Sequence, residues 1–233
     1  MLHTQKIEYY DKDILLEGYC AFNSDNLIKK PAILVAHDWS GRNDFACQKA
    51  ESLAELGYVG FALDMYGKGK IGKDNTEKAA LMQPLIKDRN ALQSRILAAW
   101  ETVSKLEYVN PAKIGAIGFC FGGLCVLDLA RCNVGVQGVV SFHGALHAPA
   151  NNVPRPTQTR MLVLHGHDDP MVLPAEVTAF ENEMTQVHAD WQVHIYSQTQ
   201  HAFTNPQAND PGFGTVYNSL SDKRSWIAMK CFF

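Results

Sequence analysis

A cysteine flanked by glycines stands where a short apolar run meets a helix-forming run. Residues 114–123 read IGAIGFCFGG, so Cys120 lies between Gly118 and Gly122. A chain that turns from strand to helix within about one residue pushes the side chain at the turn out above the sheet edge, and it needs small neighbours there. The helix that follows directs its positive end at the thiol, which favours the thiolate. The sequence therefore predicts a nucleophile elbow at Cys120.

Two residues that can activate a nucleophile follow the cysteine. A cysteine alone is often a small core residue, so these two residues decide the interpretation. An apolar run ends in a glycine turn that carries Asp168 and Asp169, and a second run, residues 191–196, leads to His201. Open α/β sheets form their sites at the carboxyl ends of parallel strands. The order nucleophile, acid, histidine, with spacings of 49 and 32 residues, predicts that the three side chains meet at that edge.

Each of these residue types has its own task in nucleophilic catalysis. A thiol attacks as the thiolate, and an imidazole accepts its proton at near-neutral pH. A carboxylate that accepts the other imidazole proton fixes the tautomer and stabilises the imidazolium. We expect Cys120 as nucleophile, His201 as base and Asp169 as the residue that orients the histidine. Asp169 is preferred because it heads the Asp-Pro-x-Val stretch, which should turn its side chain inward, whereas Asp168 is expected to be a solvated turn residue.

Strand-like and helix-like segments alternate along the chain. This alternation predicts right-handed crossovers, a mostly parallel sheet and one α/β domain that spans residues 1–233, because no repeat or linker divides the sequence. Asn43 or Asp44 is expected to cap the first helix, and Pro84 to break the second. The predicted strands are residues 6–9, 14–22, 31–36, 58–65, 114–117, 136–142, 160–165 and 191–196, and the predicted helices are residues 43–56, 76–82, 88–106, 121–131, 174–188 and 216–232.

Several motifs together resemble the dienelactone hydrolase family, a branch of the α/β-hydrolases with a cysteine nucleophile. The matching stretches are GFCFGG at 118–123, HGHDDPMV at 165–172, HAF at 201–203, AILVAHDWSG at 32–41 and LDMYG at 63–67. The similarity covers nearly the whole chain. It implies the α/β-hydrolase fold, with a mostly parallel central sheet of about eight strands flanked by helices. It also implies an enzyme that cleaves small esters or lactones through an acyl-enzyme thioester.

The resemblance also assigns roles around the nucleophile. It implies an oxyanion hole made by the backbone N–H groups of Phe121 and Trp39, which would meet the charge that develops on the substrate carbonyl oxygen. Asp38 stands at the position of an acidic residue that interacts with the cysteine in well-known members. Tyr66 and Phe203 are expected either to shape an apolar pocket or to belong to the core.

Two departures from the family pattern bear on the substrate. Asp38 replaces a glutamate and is one methylene shorter. The six residues after His201 lack the arginine that holds a substrate carboxylate in the family, which leaves Arg42 and Arg89 as possible cations at the site. We therefore expect an ester, lactone or thioester other than the dienelactone itself.

Composition argues against other classes of function. The 233 residues carry a formal net charge of −3 without a basic patch, which argues against nucleic-acid binding. The first residues form no apolar signal region, and apolar runs end after about five residues, so neither secretion nor a membrane span is expected. These features, with scattered cysteines that are expected to be reduced, predict a cytoplasmic protein. The six cysteines are Cys20, Cys47, Cys120, Cys125, Cys132 and Cys231.

The remaining histidines are candidate metal ligands. Residues 165–169 hold several candidate ligands, but no second cluster has zinc-like spacing, so neither a metal nor a cofactor is expected. His143 and His147 follow a strand and are either hydrogen-bonded structural residues or part of the pocket. Two alternative functions stay open: a ligand-binding protein without catalysis, and a thiol redox protein that uses Cys120 with Cys125 as a resolving partner.

Overall fold

The structure is a computed structural model that describes residues 1–24 and 28–233. Strands and helices alternate over most of the chain, as the sequence predicts. The strands are β1 (Leu2–Asp11), β2 (Ile14–Asn23), β3 (Lys30–Ala36), β4 (Val59–Ala62), β5 (Val109–Phe119), β6 (Gly138–Phe142), β7 (Arg160–Gly166), β8 (Trp191–Tyr196), β9 (Asn209–Asp210) and β10 (Thr215–Val216). The helices are α1 (Asp44–Glu55), α2 (Asn75–Lys87), α3 (Arg89–Ser104), α4 (Phe121–Arg131), α5 (Pro174–Gln186) and α6 (Ser219–Phe232).

In the part of the chain that is described, eight strands form a central sheet in the order β1-β2-β4-β3-β5-β6-β7-β8. The first two form a long antiparallel hairpin, and β2 pairs antiparallel with β4. The pairs β3–β4, β6–β7 and β7–β8 are parallel. The predicted α/β-hydrolase fold, with a mostly parallel sheet and helices between the strands, is therefore confirmed.

The chain divides into two compact units, Met1–Ile117 and Gly118–Phe233. The boundary falls inside β5, which runs from Val109 to Phe119. That residues 1–233 form a single domain stays a prediction. Among the residues that the structure describes, no helix has both the length and the apolar character that crossing a membrane requires.

In the first unit, a buried carboxylate holds the turn that follows β4. Asp64 is fully buried, and its two carboxylate oxygens accept hydrogen bonds from the backbone N–H groups of Glu17, Tyr66, Gly67 and Gly69 at 2.8–3.0 Å. A buried charge needs such partners because burial removes its hydration. This turn carries Tyr66, one of the residues assigned to the pocket.

In the second unit, α4 is the central helix. Every residue from Phe121 to Ala130 is buried, as expected for a helix that packs on all sides. Its last turn carries Arg131, whose guanidinium binds Asp128 at 3.2 Å and the carboxylate of Glu183 in α5 at 2.7 and 2.9 Å. The pairing satisfies the buried charges, and it fixes α5 against α4.

The helix predicted to break near Pro84 continues through it. Helix α2 extends to Lys87 with Pro84 in its interior, so this prediction was wrong. Proline has a φ close to the helical value and removes only one backbone donor, so a helix can continue through it at a cost of about 3 kcal/mol. The chain breaks instead at Asp88, whose side chain accepts from the backbone N–H of Ala91 and caps α3.

Candidate active site

Cys120 occupies the single residue between β5 and α4. Its φ is 53° and its ψ is −115°, a conformation that residues with a side chain rarely adopt. Such backbone strain costs on the order of 1–3 kcal/mol and clusters at functional sites. The path from strand to strained turn to helix is that of a nucleophile elbow.

Glycines make this turn possible. A Cβ at Gly118 would lie 2.0 Å from the carbonyl oxygen of Gly122 and 2.8 Å from the nitrogen of Gly123, so no larger residue fits without a backbone shift. Gly123 in turn packs against Gly144: a Cβ added at Gly123 would lie 2.8 Å from the Cα atom of Gly144. The elbow is therefore held by close backbone contacts on both sides.

The acid and the histidine form a buried pair. His201 Nδ1 donates to Asp169 Oδ2 at 2.7 Å, and both side chains are almost completely buried. The second carboxylate oxygen, Oδ1, accepts from the backbone N–H of Met171 at 2.8 Å. Asp168 is exposed, so the structure brings Asp169 rather than Asp168 to the histidine. Nδ1 is thereby occupied, and Nε2 is the nitrogen left for proton transfer.

Backbone contacts hold the loops of the acid and the histidine together. The N–H of His201 donates to the carbonyl of Gly214 at 3.0 Å, and its carbonyl accepts from Val216 at 3.1 Å. Pro170, the residue after Asp169, packs against Gly214 so closely that an added Cβ would lie 2.2 Å from its ring. The positions of the carboxylate and the imidazole are therefore coupled through Gly214.

The charge state of His201 is set by opposing influences. Burial favours the neutral ring, but the Cys120 thiolate and the Asp169 carboxylate raise the pKa of His201 to about 10. His201 Nε2 is buried, and Cys120 raises the pKa of the ring both through its charge and through a side-chain hydrogen bond. The raised pKa of His201 favours the imidazolium near neutral pH.

A second histidine, His143, contacts the elbow. Its Nδ1 accepts from the backbone N–H of Cys120 at 3.1 Å, and its Nε2 is 2.8 Å from the hydroxyl of Thr204. The ring packs against that of His201 with centroids 5.1 Å apart. From the sequence alone, His143 could have either a structural or a pocket role. The available signal was topological: His143 follows β6, the strand between those that lead to Cys120 and Asp169.

Two predicted site residues lie in the same unit as this cluster. Phe121 is the first residue of α4, so its N–H belongs to the first turn, where backbone donors have no acceptor within the helix. Phe203 is fully buried, and its ring packs against His143 and Tyr196 with centroids 5.1 and 5.7 Å apart. Phe203 therefore packs within this cluster, and a pocket role for it stays a prediction.

Three other predicted residues belong to the first unit. The carboxylate of Asp38 accepts from the backbone N–H of Ser40 at 2.8 Å and thus shapes its own turn. The hydroxyl of Tyr66 donates to the carbonyl of Trp39 at 2.9 Å. The Lys78 ammonium lies over the Trp39 ring, 5.5 Å from its centroid. Trp39 is therefore held in place from both its backbone and its ring.

The arginines considered for a substrate carboxylate are both buried. The guanidinium of Arg42 binds the carboxylate and the carbonyl oxygen of Glu17 and contacts the Cys47 sulfur. Its charge is therefore paired within the first unit. Within residues 1–24 and 28–233 no group of three or more His, Cys, Asp or Glu side chains is arranged to hold a metal, and none of the six cysteines forms a disulfide.

Comparisons with known proteins point to one family. Residues 16–233 match the model of the dienelactone hydrolase family. The structure of a dienelactone hydrolase-like promiscuous phosphotriesterase from metagenomic libraries is 33% identical, with a TM-score of 0.93 over 98% of this chain and 95% of that chain. An uncharacterised protein of Caenorhabditis elegans is 37% identical over 146 residues, 60% of this chain and 92% of the relative.

A third relative, from Bradyrhizobium sp, bears the name probable 2-oxo-3-(5-oxofuran-2-ylidene)propanoate lactonase. It is 24% identical over 206 residues, which cover 84% of this chain and 80% of the relative. The family match extends over most of the chain and includes the elbow, the acid loop and the histidine loop. The chain therefore belongs to the dienelactone hydrolase family, and it is an ester or lactone hydrolase with the α/β-hydrolase fold.

Proposed function

We propose that the protein cleaves small carboxylic esters or lactones with Cys120 as nucleophile, His201 as acid and base, and Asp169 as the residue that orients the histidine. One observation carries the proposal: the buried His201–Asp169 pair at 2.7 Å, whose imidazole has a pKa raised to about 10 by Cys120 and Asp169. A purely structural role for His201 would not explain why a thiolate at a strained turn interacts with its ring.

The reaction begins from the thiolate–imidazolium pair. The Cys120 thiolate attacks the carbonyl carbon, the ester C–O bond breaks, and the departing alkoxide takes the proton from His201 Nε2. The neutral imidazole then removes a proton from water, which attacks the thioester. The C–S bond breaks, the carboxylic acid leaves, and the thiolate and imidazolium are restored. In a lactone, the alcohol and the acid stay in one product molecule.

The oxyanion of each tetrahedral intermediate needs fixed donors. The resemblance to the dienelactone hydrolases assigns this role to the backbone N–H groups of Phe121 and Trp39. Phe121 opens α4, where the helix dipole adds positive potential, and the carbonyl of Trp39 is held by Tyr66. Removing one such donor typically raises the barrier by about 3 kcal/mol.

Thiol chemistry also limits the substrates. A thiolate leaves a tetrahedral intermediate more readily than an unprotonated amine does, so attack on a poorly activated amide tends to revert. We expect esters, lactones and thioesters to be cleaved, and peptides not to be. The lactonase name of the Bradyrhizobium relative supports lactones as one class to test.

The first experiment is rapid mixing with p-nitrophenyl acetate followed by mass spectrometry of the intact protein. The proposal expects a transient acetyl adduct on Cys120 and loss of turnover in Cys120→Ala. Cys231→Ala, which removes an exposed thiol, is the matched control and should turn over normally. Full turnover by Cys120→Ala would refute the mechanism. Binding without turnover of any ester would favour a ligand-binding protein, and a Cys120–Cys125 bridge under mild peroxide would favour a redox protein.

Adjacent aspartates allow a matched test of the orienting residue. Asp169→Asn offers the imidazole an amide and stabilises the wrong tautomer, so kcat should fall by about 10³-fold or more. Asp168→Asn removes an exposed charge one residue away, and its kcat should stay within about twofold of wild type. Steady-state kinetics on p-nitrophenyl acetate measures kcat for both variants. An equal fall in kcat in the two variants would contradict the assignment of Asp169 as the orienting residue.

A further inference from the structure

His143 joins the nucleophile turn to the loop that carries the catalytic histidine. At one end, its Nδ1 accepts from the N–H of Cys120, which also donates to the carbonyl of Phe142 at 3.0 Å. At the other end, its Nε2 is 2.8 Å from the hydroxyl of Thr204, three residues after His201. His143 and Thr204 are both buried. The chain of contacts therefore links the nucleophile to its base independently of the side chains that react.

The hydrogen-bond partners define the state of the ring. Cys120 N–H is a donor, so His143 Nδ1 must be unprotonated and act as the acceptor. The proton of the neutral ring then sits on Nε2 and is donated to the Thr204 hydroxyl. A neutral His143 packs against His201 at 5.1 Å without repelling the imidazolium. His143 therefore acts in this cluster through geometry and not through charge.

The hydrogen bond between Cys120 N–H and His143 Nδ1 lies at a strained point of the backbone. Cys120 has a φ of 53°, and such strain persists only where the surroundings over-determine the conformation. His143 is itself at positive φ, 41°, and its own N–H donates to the carbonyl of Leu164 in β7 at 2.8 Å. His143 is thus anchored to β7 through its backbone N–H and to the His201 loop through Nε2. A rigidly held acceptor of this kind fixes the direction of the Cys120 N–H and hence the position of Sγ.

We propose that His143, anchored by Thr204, is a positioning residue that holds the Cys120 sulfur in line for attack on the carbonyl. The inference rests on the proposed function, because it needs Cys120 to be the nucleophile. It leads to a specific expectation: loss of the His143 contact slows acylation while the thiolate itself still forms. A displacement of about 1 Å in a reacting group can cost on the order of 10²-fold in rate.

Two substitutions of His143 by amide side chains test the contacts of its two ring nitrogens separately. In His143→Asn the amide oxygen takes the place of Nδ1 and can accept from Cys120 N–H, but it does not reach Thr204. In His143→Gln the amide nitrogen reaches toward Thr204, and the γ position offers no acceptor to Cys120. We expect acylation, measured as the p-nitrophenol burst on rapid mixing, to fall by about 10–100-fold in His143→Gln and by less in His143→Asn.

Substitutions at Thr204 give a second pair of variants, in which His143 itself is unchanged. Thr204→Ser keeps the hydroxyl and should acylate within about twofold of wild type, whereas Thr204→Val leaves Nε2–H without its acceptor and should be about tenfold slower. The KM is expected to change little, because no substrate contact is removed. If a His143 variant fails to fold, this pair carries the test.

The rate of alkylation by iodoacetamide, followed against pH, provides the readout that separates positioning from activation. It reports the thiolate and needs no alignment with a carbonyl, so its midpoint should stay at the wild-type pH in every folded variant. Acylation within about twofold of wild type in folded His143→Gln and Thr204→Val would overturn the inference alone. A shifted alkylation midpoint would also overturn it, in favour of a charge effect. Turnover by Cys120→Ala would overturn the proposed function and the inference together.

Discussion

His201 is buried, and burial by itself would keep its imidazole neutral. The Cys120 thiolate and Asp169 reverse this tendency and raise the pKa of the ring to about 10. The sign follows from linkage: a raised pKa means that the folded protein holds the proton more tightly than the unfolded chain. This contribution to stability is fully present below the ordinary pKa of about 6.5 and is lost as the pH rises toward 10.

Removal of the thiolate tests this account at the level of one residue. In Cys120→Ala the charge that raises the pKa of His201 is gone while burial remains, so the imidazole should titrate at a lower pH than in the wild-type protein. An NMR titration of the His201 ring protons measures this, and Cys231→Ala should leave the titration unchanged. An unaltered midpoint in Cys120→Ala would mean that Asp169 alone controls the proton.

The sequence alone identifies the three residues of the candidate site, but it does not reveal the contacts that hold them in place. Cys120, Asp169 and His201 are identified by local motifs and by chain order, because each sits in a turn whose chemistry is local. The bond between the ring of His143 and the N–H of Cys120 joins residues 23 positions apart. It depends on β6 lying beside β5 and on the positive φ of His143, neither of which a sequence pattern reports.

The junction between β5 and α4 is the element whose geometry matters most for the nucleophile. Gly118→Ala would place a methyl group 2.0 Å from a backbone oxygen of the first turn of α4. Backbone cannot yield as a flexible side chain does, so we expect a loss of about 3 kcal/mol or more in unfolding free energy. Urea unfolding measures this loss, and acylation should fall as well because the elbow moves.

Gly135 offers a control for this substitution in the same unit. It has a φ of +87°, but an added Cβ would meet no atom within 4 Å. Gly135→Ala therefore introduces backbone strain without a clash and should cost only about 1 kcal/mol, with acylation unchanged. If Gly118→Ala is no more damaging than this control, the close approach of the elbow backbone is not what the turn requires.

At the level of elements, local signals predicted more than non-local ones. Asn43, one of the two caps that the sequence predicts, caps α1 through its side chain and the N–H of Ala46; the prediction succeeds because capping involves neighbours only. The helix predicted from residue 216 instead begins at Ser219. Thr215 and Val216 form β10, which pairs with the two-residue strand β9. Pairing of two such short strands leaves no periodic pattern, so the sequence could not reveal it.

For the molecule as a whole, the open question is whether the two compact units unfold as one. Their boundary falls between Ile117 and Gly118, inside a strand that ends one residue before the nucleophile. A boundary within a continuous strand leaves each unit with an incomplete element. We therefore expect a single cooperative transition, as small single domains usually show.

The four tryptophans allow this to be measured, because Trp39 and Trp100 lie in the first unit and Trp191 and Trp226 in the second. In Trp39→Phe/Trp100→Phe only the second unit fluoresces, and in Trp191→Phe/Trp226→Phe only the first does. Urea unfolding of each variant, followed by fluorescence and by far-ultraviolet circular dichroism on the same sample, should give one coincident midpoint. Comparison within each variant removes the effect of the substitutions on stability. Fluorescence and dichroism transitions that separate would instead show that the chain unfolds as two domains.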